Sequence, residues 1–364
     1  MKAALLTRIG DPIEIAEVEL AEPIGREVLV TVKASGLCHS DLHIVENDYG
    51  FPMPALLGHE ISGIVTAVGP DVSTLSVGDH VVGSLISHCG VCKQCLSGAP
   101  YRCEDTATVQ RTPDQPPRIT RDGQPVLQLA DLGGFAEQAL VHENNLVSIN
   151  KSVPFDRAAL LGCGVITGAG AAINSARVRV GDTVAVIGCG GVGLNTVQGA
   201  ALSGARRVIA IDLQPSKLEL AKKFGATDVI NPSEENLVER IREITGEPGV
   251  DHAFEVIGLT QTAQQAIDIT TVGGTAYMVG MQKPEAKIEI EGMTDLLYGQ
   301  KTVMGVFMGS TLALRDIPMY ADLYQQGRFN LDDLVSRQIR LEDINEGYAE
   351  LKQGQVARSV IVFD

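Results

Sequence analysis

Positive charge is in short supply in this sequence. Its 29 lysines and arginines face 45 aspartates and glutamates, giving a formal net charge of −16. A chain this acidic is a poor candidate for holding nucleic acid or an anionic membrane by neutralising phosphates. Any phosphate it binds has to be held by backbone amides and a few placed cations. A secretory leader is not expected either: the apolar stretch in residues 1–8 is too short, and Arg8 and Asp11 close it off. No internal repeat and no low-complexity segment is present. The seven cysteines are odd in number and come without a secretory signal, so a disulfide framework is not expected. Two uncharged stretches, 158–176 and 183–205, are long enough to span a bilayer. Both are rich in glycine and carry Asn174, Asn195 or Gln198, so a strand–turn–helix unit accounts for them better. The expectation is a cytoplasmic protein with no nucleic-acid or membrane partner.

What is present is ordinary globular composition, 45% apolar and 20% charged, in 364 residues. That length exceeds the usual size of one hydrophobic core and predicts two domains. The first part reads as β-rich, with short β-branched runs at 28–32 and 61–68 bounded by Gly and Pro. Residues 112–125 read as a long surface loop, and strand character returns at 135–141. From about Val165 the rhythm changes. Strands at 183–187, 208–211, 228–230, 252–256, 275–279 and 302–306 are joined mostly by helical patterns, among them 192–202 and 216–224. Such alternation predicts a doubly wound parallel sheet. The tail from Met308 is mixed and ends in a strand at 359–363.

Gly188-Cys189-Gly190-Gly191-Val192-Gly193 fits G-x-G-x-x-G, follows the predicted strand directly and opens a helix. In that setting Gly188 allows the tight turn, Gly190 lets a pyrophosphate approach the backbone, and Gly193 lets helix and strand pack closely. The unpaired N–H groups of Gly191, Val192 and their neighbours then face the phosphates. Asp212 ends the next strand, 19 residues beyond Gly193. A carboxylate there accepts hydrogen bonds from both adenosine ribose hydroxyls and repels a 2′-phosphate, which favours NAD over NADP. Lys217 stands one turn into the following helix, within reach of the same ribose.

Cys89-x2-Cys92-x2-Cys95-x7-Cys103 places four thiols within 15 residues. Four thiolates fill a tetrahedral zinc and leave no position for water, so the site is structural. An iron–sulfur cluster is the chemical alternative. Cys38, His59 and Cys163 are metal-capable but scattered, and spacing alone cannot bring them together. Their surroundings are rich in chemistry: Cys38-His39-Ser40-Asp41-Leu42-His43 packs thiol, hydroxyl, carboxylate and two imidazoles into one turn, and Gly58-His59-Glu60 precedes a strand.

On these motifs the chain resembles the zinc-containing alcohol dehydrogenases of the medium-chain dehydrogenase/reductase family. Gly58-His59-Glu60-x2-Gly63-x5-Gly69-x2-Val72 matches the family's zinc signature, and the other motifs occur in the family's order. The resemblance implies an α/β fold in which a GroES-like β-rich catalytic domain, 1–164 and 308–364, is interrupted by a Rossmann domain, 165–307. It implies a catalytic zinc on Cys38, His59 and Cys163, with Glu60 beside it and Asp41 orienting the ligand histidine. With the cysteine lobe this makes two zinc ions per chain. It also implies Arg358 on the pyrophosphate, with His39 standing where many relatives carry Arg. Ser40 and His43 are implied as a proton relay for reversible hydride transfer between an alcohol or aldehyde and NAD. Leu85 and Leu129 fall where the family lines its substrate channel, which points to an apolar primary alcohol. A glutathione-dependent formaldehyde dehydrogenase, an enzyme with permanently held NAD, and a non-catalytic NAD(P)-binding protein are the alternatives. The long loop after Cys103 resembles that of dimeric relatives, whose Rossmann sheets pair through the last strand. A homodimer is therefore expected.

Overall fold

The strand Glu27–Gly36 organises the first half of the molecule. Val28, Val30 and Val32 alternate inward and are fully buried, as a strand with one face on a core requires. One edge pairs antiparallel with Glu60–Val68. The other pairs with Gln138–His142 along residues 27–31 and with Arg358–Val362 along 34–36. The protein is described here by a computed structural model, covering residues 1–354 and 357–364. These pairings belong to a seven-stranded sheet, and a four-stranded sheet carries Lys2–Leu6. An apolar core centred on Leu5, Leu37, Leu56, Phe135 and Tyr348 lies between the smaller sheet and the C-terminal helix Ile344–Lys352. This unit comprises Met1–Gly164 and Leu312–Asp364.

The second unit, Val165–Thr311, contains six parallel strands. They run in the spatial order Asp228–Ile230, Arg207–Ile211, Thr183–Ile187, Val250–Glu255, Thr270–Met278, Thr302–Gly305. Numbered along the chain this is 3-2-1-4-5-6, the dinucleotide-binding order. Thr183–Ile187 is buried throughout, which explains its uninterrupted apolar sequence.

The second crossover falls between Thr311 and Leu312, four residues after the 307/308 boundary read from sequence. Residues 308–311 stay with the second unit because they pack on its first helix. Thr311 Oγ1 donates to Ile166 O at 3.1 Å, and Gly309 lies against the same carbonyl. The apolar helical stretch Phe155–Ala176 is long enough to cross a membrane, but 83% of its most apolar part is buried in the protein, which makes it a core element.

Residues 112–125 depart from the simple surface loop expected. They contain a small hairpin, Ile119–Arg121 with Gln124–Pro125, turned by Asp122 and Gly123 in left-handed conformations. Its root is anchored on the buried Glu27. Arg111 Nε and Arg118 Nε donate to Glu27 Oε1 at 2.9 and 2.7 Å, and Arg111 Nη2 donates to Oε2 at 2.5 Å.

A second buried carboxylate, Glu143, closes this side. It accepts from Arg26 Nε at 2.6 Å, from the Ser73 and Thr74 amides at 3.1 and 3.0 Å, and from Thr74 Oγ1. Burial alone would raise its pKa. The Thr74 and Arg26 hydrogen bonds outweigh it and bring the group from 4.5 to about 2. A depressed carboxylate stabilises the fold above its unfolded pKa and loses that contribution as pH falls from about 4.5 through about 2. Glu143→Gln should therefore lower the melting temperature by several degrees at pH 7, and the gap to wild type should narrow steadily in thermal melts below pH 4.5.

Candidate active site

The strand Glu27–Gly36 ends where the helix His39–Glu46 begins, with Cys38 as its N-cap. The thiol is thus held at the mouth of a rigid turn. Ser40 Oγ lies 3.0 Å from Cys38 Sγ. Asp41, in the first helical turn, points inward and is fully buried. His59 reaches the same place from another segment. Gly58 before it has φ of +92°, and a Cβ there would stand 2.7 Å from Phe135, so only glycine fits. Asp41 Oδ1 accepts from the Gly58 amide at 3.3 Å and lies 3.1 Å from His59 Nδ1. That bond places the proton on Nδ1 and leaves Nε2 with its lone pair. His59 Nε2 is buried and has no partner among the described residues. Cys163 arrives on the π-helical turn Leu161–Val165. One ligand atom from each of Cys38, His59, Glu60 and Cys163 lies within 4.8 Å of all the others, and all four residues are buried.

A buried imidazole nitrogen without a partner, beside two thiols, fits a thiophilic divalent cation such as zinc. Hydrogen bonding between the two thiols lowers Cys38 well below its ordinary range and, with burial, raises Cys163 well above it, as two close sulfurs sharing one proton require. Glu60 stands in the same cluster and has contacts of its own. Its Oε1 accepts from the Gly164 amide at 3.2 Å, and its Oε2 lies 3.6 Å from Arg358 Nε. Burial pushes this carboxyl up to about 7 against the pull of Arg358.

Arg358, which the resemblance implies on the pyrophosphate, is buried. Its side chain is 4% exposed, against Glu60 and 4.0 Å from Cys38 Sγ. Two acidic groups in an apolar interior account for that position. His39 is exposed at the start of its helix, and His43 lies half-buried one turn later. No direct hydrogen bond joins Ser40 to His43 among the described residues. Leu129 is buried in the apolar core of the first unit, and Leu85 packs half-buried on the sheet.

The cysteine lobe is separate within the same unit. The Sγ–Sγ separations are 3.5 Å for Cys92–Cys95, 3.6 Å for Cys89–Cys103, and 3.9 Å for both Cys89–Cys95 and Cys92–Cys103. Four sulfurs about 2.3 Å from one ion stand about 3.8 Å apart, so these spacings suit a tetrahedral site. Amides of Val91, Cys92 and Asp105 donate to the sulfurs and stabilise thiolate charge. None of the seven cysteines forms a disulfide.

In the second unit the glycine-rich turn joins Thr183–Ile187 to the helix Gly191–Leu202, with Gly190 as N-cap. A Cβ on Gly193 would stand 1.8 Å from the Gly188 carbonyl, while the space beside Gly190 is open. The turn is thus closed on the inside and accessible on the outside, as a pyrophosphate cradle requires. Asp212 sits beside it: Oδ2 accepts from the Cys189 amide at 2.8 Å and Oδ1 from the Gln214 amide at 2.9 Å. Lys217 lies half-buried in the helix Pro215–Lys223.

Fold and site together define an oxidoreductase that binds a metal ion and a pyridine nucleotide. Comparison with known proteins agrees. Residues 25–151 match the alcohol dehydrogenase GroES-like domain, and residues 191–326 match the zinc-binding dehydrogenase domain. The chain is 39% identical to the NDMA-dependent alcohol dehydrogenase of Amycolatopsis methanolica, covering 99% of this chain and 98% of that one. It superposes on an alcohol dehydrogenase zinc-binding domain protein from Burkholderia ambifaria with a TM-score of 0.95 at 39% identity, over 100% of this chain and 98% of the other. For benzyl alcohol dehydrogenase from Acinetobacter calcoaceticus the TM-score is 0.93 at 37% identity, over 100% and 99%. The chain belongs to the zinc-containing alcohol dehydrogenases of the medium-chain dehydrogenase/reductase family.

Proposed function

We propose that this alcohol dehydrogenase uses NAD and carries two zinc ions per chain, one on Cys38, His59 and Cys163 and one on Cys89, Cys92, Cys95 and Cys103. The observation that carries this reading is the buried, unpartnered His59 Nε2 beside two thiols, with its ring fixed by Asp41. Three protein ligands at the first site leave a position for substrate, whereas four thiolates at the second do not. Zinc supplies Lewis acidity that acidifies an alcohol hydroxyl, and nicotinamide supplies the hydride acceptor. The chain's own residues do the rest. Ser40, beside Cys38, takes the hydroxyl proton, and His43 hands it to solvent. Arg358 pairs with Glu60 beside the ligands. Gly188, Gly190, Gly191, Val192 and Gly193 hold the pyrophosphate, with His39 as an added donor, and Asp212 and Lys217 take the ribose.

The substrate class that fits is an apolar primary alcohol and its aldehyde, in line with the benzyl alcohol dehydrogenase among the similar structures. The name of the Amycolatopsis relative supports a second reading, in which the nicotinamide stays bound and an external acceptor re-oxidises it. Mass analysis of denatured protein, compared with turnover on free NAD, separates the two. A cytoplasmic homodimer completes the proposal. The unpaired edge of Thr302–Gly305, with exposed Leu297, Tyr298 and Phe307 near it in sequence, supports pairing with a second copy there.

Three results should follow. Freshly purified protein should contain two zinc ions per chain by elemental analysis and scatter light with twice the chain mass, and Cys38→Ser should retain one zinc. Asp212→Gly should weaken NAD binding and improve NADP relative to it in titrations; a wild-type preference for NADP would defeat the ribose argument. Ser40→Ala should oxidise alcohol about a hundredfold more slowly with metal content and nucleotide affinity nearly unchanged, and wild-type single-turnover rates in that variant would remove the relay.

A further inference from the structure

The His59–Asp41 pair uses only one of the two carboxylate oxygens. Asp41 Oδ1 takes both the imidazole and the Gly58 amide. Asp41 Oδ2 is buried with no hydrogen-bond partner among the described residues. An ionised carboxylate oxygen in an apolar interior without a donor costs several kcal/mol, so a donor is to be sought nearby.

The donor side of the account lies on the C-terminal helix Ile344–Lys352, which packs on the Asp41 helix His39–Glu46. Tyr348 of that helix is buried, and its hydroxyl too has no partner among the described residues. Its ring is set edge-on to Phe135, with centroids 6.3 Å apart. Phe135 is the residue that lies against Gly58, and its amide donates to Leu57 O at 3.1 Å. The ring of Tyr348 is thereby fixed against the segment that delivers His59. On the adjoining strands, Ser35 and Ser359 share a face with Leu37 and Ile361, residues of the same core as Tyr348. Their buried hydroxyls are likewise without partners among the described residues. An apolar core with a carboxylate oxygen and several hydroxyls all unmet is the setting in which buried water is held, each molecule by two to four polar groups.

We propose that Tyr348 is a positioning residue of the metal centre: its hydroxyl donates, through a buried water, to Asp41 Oδ2 and so fixes the carboxylate that orients His59. A tyrosine hydroxyl keeps its proton at neutral pH and is available as a donor. The chain of command runs from tyrosine to aspartate to imidazole to metal, and each link sets the orientation of the next.

This inference rests on the proposed metal role of Cys38, His59 and Cys163. The test is zinc release from intact holoenzyme to a coloured chelator, which resolves the two sites by their rates, together with the visible spectrum of protein with cobalt at the same site. Tyr348→Phe keeps the ring and its contact with Phe135, and removes only the hydroxyl. It should release the catalytic zinc about tenfold faster, leave release from the four-cysteine lobe unchanged and shift the cobalt bands. Asp41→Asn should do the same or more, and the double variant should be no faster than Asp41→Asn, because both substitutions break one chain. Wild-type release kinetics and cobalt bands in Tyr348→Phe would overturn the proposal. So would fully additive effects in the double variant, or accelerated release from both sites, which marks general loosening of the core. Should Tyr348→Phe not fold, Tyr348→His, which keeps a ring and an N–H donor, is compared with Tyr348→Leu, which keeps neither. Faster catalytic-zinc release in Tyr348→Leu than in Tyr348→His, with the lobe unchanged in both, supports the chain, and equal release in both overturns it. A wild-type protein with a single zinc per chain would instead defeat the metal assignment itself, before Tyr348 is reached.

Discussion

One oxygen atom, Asp41 Oδ1, joins the segments from which the candidate metal centre is built. It accepts from the His59 ring and from the amide that precedes it, while its own backbone belongs to the helix that begins beside Cys38. Two ligands far apart in the chain are thereby held to one point. The third, Cys163, is brought up by a helical stretch whose apolar side is buried, so its position follows from core packing. This division is physically sensible. A thiol and an imidazole on short turns need a polar tie, whereas a thiol inside a long buried helix does not.

The two metal candidates are built by opposite means. The four-cysteine lobe is local: its ligands lie between Cys89 and Cys103, its spacing suits one tetrahedron, and backbone amides neutralise the sulfurs. The open cluster is assembled from three distant segments and supported by a buried arginine and a buried glutamate. A local site can form as soon as its loop is made. The distributed site exists only when the whole first unit is folded, and its chemistry is correspondingly sensitive to packing far from the ligands.

Much of this was legible in the sequence, for reasons that can be stated. Thr183–Ile187 was read to the residue, because a buried parallel strand is an apolar run bounded by turn residues. The glycine-rich turn was legible because its context, strand before and helix after, is itself sequence-encoded. The lobe was legible because ligand spacing is local. The open cluster was not legible from spacing, and only the resemblance brought Cys38, His59 and Cys163 together. The hairpin at Asp122–Gly123 was missed although its turn dipeptide stands in the sequence, since the proline-rich surroundings suggested plain loop. The buried setting of Arg358 and the place of Tyr348 beside the centre carry no local signal at all. Both depend on tertiary pairing between the chain's last segment and its first hundred residues.

The twin-arginine anchor on Glu27 bears on how this protein can vary. Arg111 and Arg118 each hold the same carboxylate, and residues 112–117 between them are exposed. The two ends of that short span are pinned independently of whatever connects them. The connection can therefore lengthen, shorten or be cut without releasing either flank, because a closed loop whose ends are already fixed adds little entropy when its contour changes. The span is a natural point for inserting a foreign peptide or a surface attachment, with both of its flanks held on a single buried carboxylate.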